Sequence, residues 1–257
     1  MATKVAAPTG TAFFTNRIGL WAHLTSRMLG NLHDVQAMGF DDILVKVDDG
    51  RSPYHVADAQ RILKDAKTIN LPVAAWCYVY PDNIADQVKS IAASIPAGVT
   101  ELVVDAEAEW ERFAAAHGEP ACIAAVHQLM SRIAAATGHR VNLHLSSFWS
   151  PQLHPEFPFR AFMIHCATFQ PQAYLEPGGT RSAASILSGA LSEGASVVRA
   201  RPGQALVPTI NNTQMLATLK ARQIKSFSVY VFDPEGDAAV VDHETEWKNA
   251  LTAFRAA

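Results

Sequence analysis

The chain has 257 residues, 49% hydrophobic and 18% charged, which supplies a sizeable core and excludes a disordered polypeptide. Its formal charge of −3 gives no electrostatic case for nucleic acid or an anionic membrane, and no apolar run reaches the ~18 residues of a membrane span. Cys77, Cys122 and Cys166 are an odd number, widely spaced and without a CxxC, so they read as buried thiols rather than a disulfide framework.

Residues 1–16 read as an N-terminal arm of Ala, Thr, Pro and Lys. Its apolar runs are too short for a secretory signal, so the expectation is a chain without its own Sec signal, cytoplasmic or released by lysis or another machine. A first strand is expected at 17–23, then a short helix at 26–38 closed by Gly39. A second strand at 42–48 meets the Asp49-Gly50 turn. Val56, Ala59, Ile62, Leu63 and Ala66 recur at helical spacing, which predicts a helix over 53–69. A third strand follows at 72–80, and Asp82 is expected to cap a helix reaching residue 95.

The fourth strand is the most informative stretch. Leu102, Val103 and Val104 have the branched character of a strand covered on both faces. Asp105, Glu107 and Glu109 then alternate, and a strand sends such positions to one side. Like charges so placed repel and resist burial, so folding alone gives little reason for them; acid–base chemistry or cation binding gives a direct one.

Beyond it the pattern predicts a loop at 110–119, an Ala-rich helix at 120–137 stopped by Gly138, and strand five at 140–146. The three prolines of 148–159 mark an excursion; strand six is expected at 161–167, with a polar loop over 168–179. A helix at 181–199, strand seven at 205–210, a helix at 213–223, strand eight at 226–232 and a closing helix at 238–256 complete the chain. This alternation, with no linker, predicts residues 17–257 to be a single (β/α)8 TIM barrel of the α/β class, a fold of typically ~250 residues. A doubly wound open sheet is the rival, but no G-x-G-x-x-G follows any strand.

Active sites of such barrels gather at the C-terminal strand ends. There the sequence offers Trp21 and His23, Lys46 and Asp48, Trp76, Tyr78 and Tyr80, then the acids of strand four. Asn142, His144 and Ser146 share a face of strand five, with Trp149 beyond. Gln170, Gln172 and Tyr174 follow strand six, Asn211 and Asn212 strand seven, and Asp233 and Glu235 strand eight. Aromatic faces with amides and carboxylates suit a sugar. The bland readings are an ion pair of Lys46 with Asp48 or Asp105, core histidines at 144 and 165, and a simple turn at Asp233-Pro234.

The strand-four Asp105-Ala-Glu107, the Trp76-Cys-Tyr-Val-Tyr-Pro81 ending of strand three and Phe169-Gln-Pro-Gln-Ala-Tyr174 together resemble glycoside hydrolase barrels with a D-x-E on strand four. The echoes are of lysozyme (muramidase) types and, more weakly, of chitinase-like hydrolases. The first register implies Glu107 as proton donor; the second overlays residues 102–109 on D-x-x-D-x-D-x-E and implies Glu109. Strand one, Gly19-Leu-Trp-Ala-His23, lacks the acid that these lysozymes carry there.

The expected function is therefore a glycosidase without a cofactor, cleaving a polysaccharide or cell-wall glycan by carboxylate acid catalysis. Glu107 is expected to be the general acid, with Asp105 orienting it and Asp233 or Asp48 as the second carboxylate. Tyr78, Glu109, Trp149, Gln170, Gln172 and Tyr174, with Asp48, are expected to contact sugar. Two other readings stand beside it. One is a metal-dependent barrel hydrolase using His144, His165, Asp233 and His23, though the H-x-H expected of strand one is absent. The other is a barrel without turnover that binds glycan or builds a phage or secretion particle.

Overall fold

The computed structural model describes residues 12–22, 32–176, 178–200, 202–230 and 243–256. Its centre is a closed parallel barrel of eight staves with helices between them. The first six are β1 (Ile18–Ala22), β2 (Asp42–Asp48), β3 (Val73–Tyr78), β4 (Glu101–Asp105), β5 (Asn142–Phe148) and β6 (Thr168–Ala173). The seventh is split into β7 (Ala205–Leu206) and β8 (Thr209–Ile210), which pair with the beginning and end of β6. Pro208 sits in the break, where a missing N–H costs the ladder one bond. The last stave, β9 (Phe227–Val229), pairs with β8 on one side and β1 on the other, closing the ring.

The helices are α1 (Leu32–Met38), α2 (Val56–Thr68), α3 (Ile84–Ser94), α4 (Ala108–His117), α5 (Glu119–Ala136), α6 (Phe159–Met163), α7 (Ala183–Val197), α8 (Met215–Ala221) and α9 (Glu244–Arg255). In α2 the buried side chains are Ala59, Ile62, Leu63 and Ala66, the stripe expected from their spacing. Helix α3 starts after Asn83, not at an Asp82 cap. There Gln87 takes the capping work, accepting from Tyr80 N and donating to the Tyr80 and Asp82 carbonyls.

Two expectations fail in an instructive way. The segment after β4 is not a loop: residues 108–117 form α4, anchored by the fully buried Trp110, whose indole N–H donates to Val79 O at 3.0 Å. The apolar run 161–167 is not strand six either; it supplies most of α6 and the turn after it. The strand lies in the polar stretch that follows, where Thr168 meets the buried His144 and Gln172 meets Asp105.

Outward-facing strand residues such as Leu20, Val45, Leu102, Leu145 and Phe169 join the helices in one large core. A smaller core fills the barrel itself: Phe14, Trp21, Leu44, Ala74, Trp76, Val103 and Val207. Trp21 donates to Ser228 Oγ at 2.8 Å and Trp76 to Ala22 O at 3.1 Å, so both large rings are satisfied inside. Gly19 makes room at this level, since a Cβ there would stand 2.5 Å from Asp42 Oδ1. Phe14 forms the floor, edge-on to the His144 ring at 4.8 Å. All three cysteines are free and buried, as expected. No described helix is long and apolar enough to cross a membrane.

Candidate active site

The three acids after β4 do converge, but only the first is on the strand. β4 ends at Asp105; Ala106 N then donates to Ser146 O, and Ser147 Oγ donates to Ala106 O at 2.6 Å, so β5 steers the chain across the barrel rim. Glu107 occupies the N-cap position of α4 with no capping bond from its side chain, leaving its carboxyl over the mouth. Glu109 follows in the first helical turn, where negative charge is favoured.

Gln172 ties the centre together. Its Nε2 donates to Asp105 Oδ1 at 2.7 Å and Glu107 Oε1 at 2.9 Å, and lies 3.1 Å from Ser146 Oγ. Burial holds Asp105 well above the usual carboxylate range, and the charge of Glu107 adds to it against the pull of Ser146, Lys46 and Gln172. Burial also raises Glu107, with Gln172 pulling it down and Glu109 pushing it up. Two carboxyls this close do not both ionise readily, so the pair retains a proton to higher pH than isolated acids would. Because Oδ1 and Oε1 accept from Gln172, that proton belongs on the outer oxygens, Oδ2 of Asp105 or Oε2 of Glu107.

Glu109 is held separately. Tyr78 donates to its Oε2 at 2.5 Å and Arg112 to its Oε1 at 2.6 Å. Across the mouth, Tyr174 stacks on Tyr230 with centroids 5.6 Å apart. Burial, then the Asp105 charge, raises both phenols, Tyr230 to about 12. Lys46 completes the ring of charge; its ammonium is 2.5 Å from Asp49 Oδ1 and lies over the Tyr54 and Trp76 rings.

Several expected site residues lie elsewhere. Lys46 and Asp48 do not share a face, because the β2–β3 register shifts between them. Asp48 is fully buried and turned to α3, accepting from Gly50 N, Ser90 Oγ and Ser94 Oγ at 2.7–2.8 Å; it is a structural acid, not a sugar ligand or second catalytic carboxylate. Gln170 is fully buried one step below the mouth, out of reach of a substrate. Gln172 holds the acids themselves instead of sugar hydroxyls. Trp149 is half-buried, fitted against Gly189 and covered by Arg181, so its indole is no bare stacking surface.

His144 lies deep in the barrel between Glu101 Oε2 (2.8 Å) and Thr168 Oγ1 (3.0 Å). His165 pairs with His127 of α5 at 2.9 Å on the outside of the wall. Two of the three histidines of the metal reading thus lie on different sides of the sheet. Among the described residues no group of three or more His, Cys, Asp or Glu side chains is placed to hold a metal ion. Asn211 exchanges bonds with the Leu175 backbone, and Asn212 accepts from Gln214 N; both secure loops. Asp233, Glu235 and His23 fall outside the described residues. The sequence marks Ser146 only as sharing a face of strand five and does not single out Glu101 or Tyr230, although alternation from Ser228 points Tyr230 inward.

No family model and no curated protein matches this sequence. Solved structures do. A fungal β-1,4-galactanase superposes with a TM-score of 0.59 over 94% of this chain and 100% of its own, at 10% identity. The mannotriose complex of the Thermomonospora fusca β-mannanase gives 0.56 over 89% and 81%, at 13% identity. The mannanase catalytic domain from Streptomyces sp. SirexAA-E gives 0.54 over 88% and 83%, also at 13%. At such identities the likeness establishes the barrel fold. These neighbours are glycoside hydrolases; neither lysozymes nor chitinases are among the chains named here.

Proposed function

We propose that the protein is a glycoside hydrolase acting on a polysaccharide, with Glu107 as its general acid. The observation that carries this is the Asp105–Gln172–Glu107 arrangement: two carboxyls at a barrel mouth, bridged by one amide and both held above their ordinary pKa. Folding gains nothing from that pairing, whereas protonating a leaving glycosidic oxygen requires an acid that keeps its proton near neutrality. Glu107 sits nearer the solvent and delivers the proton; Asp105 beneath it steadies the positive charge that develops on the sugar. The glycosidase neighbours support the reading, and three of their structures hold manno-oligosaccharides.

Hydrolysis needs a second carboxylate to attack the sugar or activate water. With Asp48 turned into the wall, the reading assigns this to Asp233, which follows the last stave in sequence. The test is product release from mannan, galactan, chitin and peptidoglycan by wild type, Glu107→Gln and Asp233→Asn. Cleavage of any one that falls at least ~100-fold in Glu107→Gln supports the assignment; full activity in that variant overturns it.

One observation favours a second reading, a glycan-binding barrel without turnover. Among the described residues, the strand ends facing Glu107 carry Asn211, Asn212 and Tyr230 rather than an acid. Glycan binding with no product over prolonged incubation selects that reading.

A further inference from the structure

We infer that the cleft beside the acids binds a carboxylate-bearing sugar unit, and that Arg181 recognises its charge; this rests on the glycan reading of the site. The segment after β5 and the loop after β6 enclose about 380 Å³ lined by Trp149, His154, Tyr174, Leu175, Glu176 and Arg181. Tyr174 connects it to the catalytic centre: it lines the cleft two residues beyond Gln172, which holds both acids, and stacks on Tyr230. A chain threaded over the acids therefore has its neighbouring sugar in this cleft.

The lining says what kind of sugar. The Trp149 indole is fixed in place by Gly189, where a Cβ would stand 2.6 Å from its Cζ3. The Arg181 guanidinium lies 5.0 Å from the ring centroid, so the ring carries a cation instead of an open apolar face. Arg51, Arg61, Arg112 and Arg255 each have a carboxylate within 4.0 Å. Arg181, among the described residues, has the indole alone, and it is exposed. Its donors are thus pre-positioned but uncommitted. A guanidinium in that state matches a planar carboxylate through two parallel hydrogen bonds, a geometry a neutral hydroxymethyl group does not offer.

The same arrangement recurs around the mouth. Arg51 lies over Tyr80 at 4.2 Å, and Lys46 over Tyr54 at 4.6 Å. Each cation there already has a nearby acid, Asp82 for Arg51 and Asp49 for Lys46, which leaves Arg181 as the one rim cation of these three free to take a ligand's charge. Glu176 and the Glu111-bound His154 share the cleft without pairing to Arg181.

The experiment is calorimetric titration of the Glu107→Gln protein with tetrameric uronates (glucuronate, galacturonate and mannuronate) and with the same oligomers after carboxyl reduction to the neutral alcohols. The expected result is at least ~10-fold tighter binding of one uronate than of its reduced form, weakened by salt and abolished as a preference in Glu107→Gln/Arg181→Gln. Circular dichroism checks that the second variant is folded. Equal affinity for both forms, or a preference that survives loss of Arg181, overturns the inference. Binding and wild-type cleavage of only the neutral oligomers overturns it while leaving the glycosidase reading standing. Binding of neither kind also overturns the inference, and the glycosidase reading is then decided by the polysaccharide panel alone.

Discussion

Gln172 Nε2 stands 2.7 Å from Asp105 Oδ1, closer than to either of its other acceptors. That contact makes an amide the keeper of a buried acid pair. Gln172→Leu removes the donor, so the native pKa of both carboxyls climbs further above the unfolded value. A raised acid pKa costs stability only where the unfolded carboxyl is ionised. The variant should therefore lose more at pH 8 than at pH 4, by about 1–3 kcal/mol, read from urea unfolding at the two pH values. An equal loss at both would mean that Gln172 only fills space. If the protein turns over glycan, the alkaline limb of its pH–rate profile should also move to higher pH.

A second acid offers a cleaner titration. Asp42 is buried with neither oxygen hydrogen-bonded to the described protein, and burial lifts it to about 7, against the pull of Arg17. Its native pKa lies above the unfolded 3.8, so the native state holds the extra proton between the two. The Asp42 contribution to stability should be full below about pH 4 and be lost as pH rises to about 7, with a slope approaching ~1.4 kcal/mol per unit. Asp42→Asn should remove this contribution to the slope. Unfolding free energies across pH 4–8 decide it.

Asp48 separates structure from catalysis. Asp48→Ala leaves the Gly50 N–H and two serine hydroxyls without their acceptor and should cost at least ~2 kcal/mol in denaturant unfolding. Whatever protein remains folded should bind glycan like wild type. Selective loss of glycan binding with unchanged stability would return Asp48 to the site.

Gly189→Ala is a steric test of the cleft wall. The added methyl meets the Trp149 ring at 2.6 Å, so either the indole or α7 must shift, at about 1–3 kcal/mol. A fall in melting temperature with a changed tryptophan emission spectrum is the expected outcome.

The barrel was legible because its outer face is apolar and periodic. The α2 stripe, Leu102 and Val104 meet the large core, while Val103 between them joins the smaller core inside the barrel, as a strand covered on both faces implies. What misled was the interior. The row Thr168, Gln170, Gln172 resembles a loop in composition, yet forms a strand in which Thr168 meets His144 inside the barrel and Gln172 the acids at its mouth. Asp48 was misplaced by a register shift that no residue type announces. The convergence of Asp105, Glu107 and Glu109 was anticipated, but as a strand alternation; a helix beginning at Ala108 brings the third acid in. Gln172 was expected to touch sugar because nothing local to residue 172 reveals that β4 delivers two acids to it, 67 and 65 residues earlier.

The ring closure between β1 and β9 bears on how the protein is made. Ile18 pairs with Phe227, so during synthesis the first strand waits with one edge unpartnered until almost the entire chain has emerged. Phe14 likewise has no seat against His144 until β5 arrives. A nascent chain interrupted anywhere before the last stave carries an open sheet edge and an exposed aromatic floor, and these are the surfaces that a chaperone or a second nascent chain would meet first.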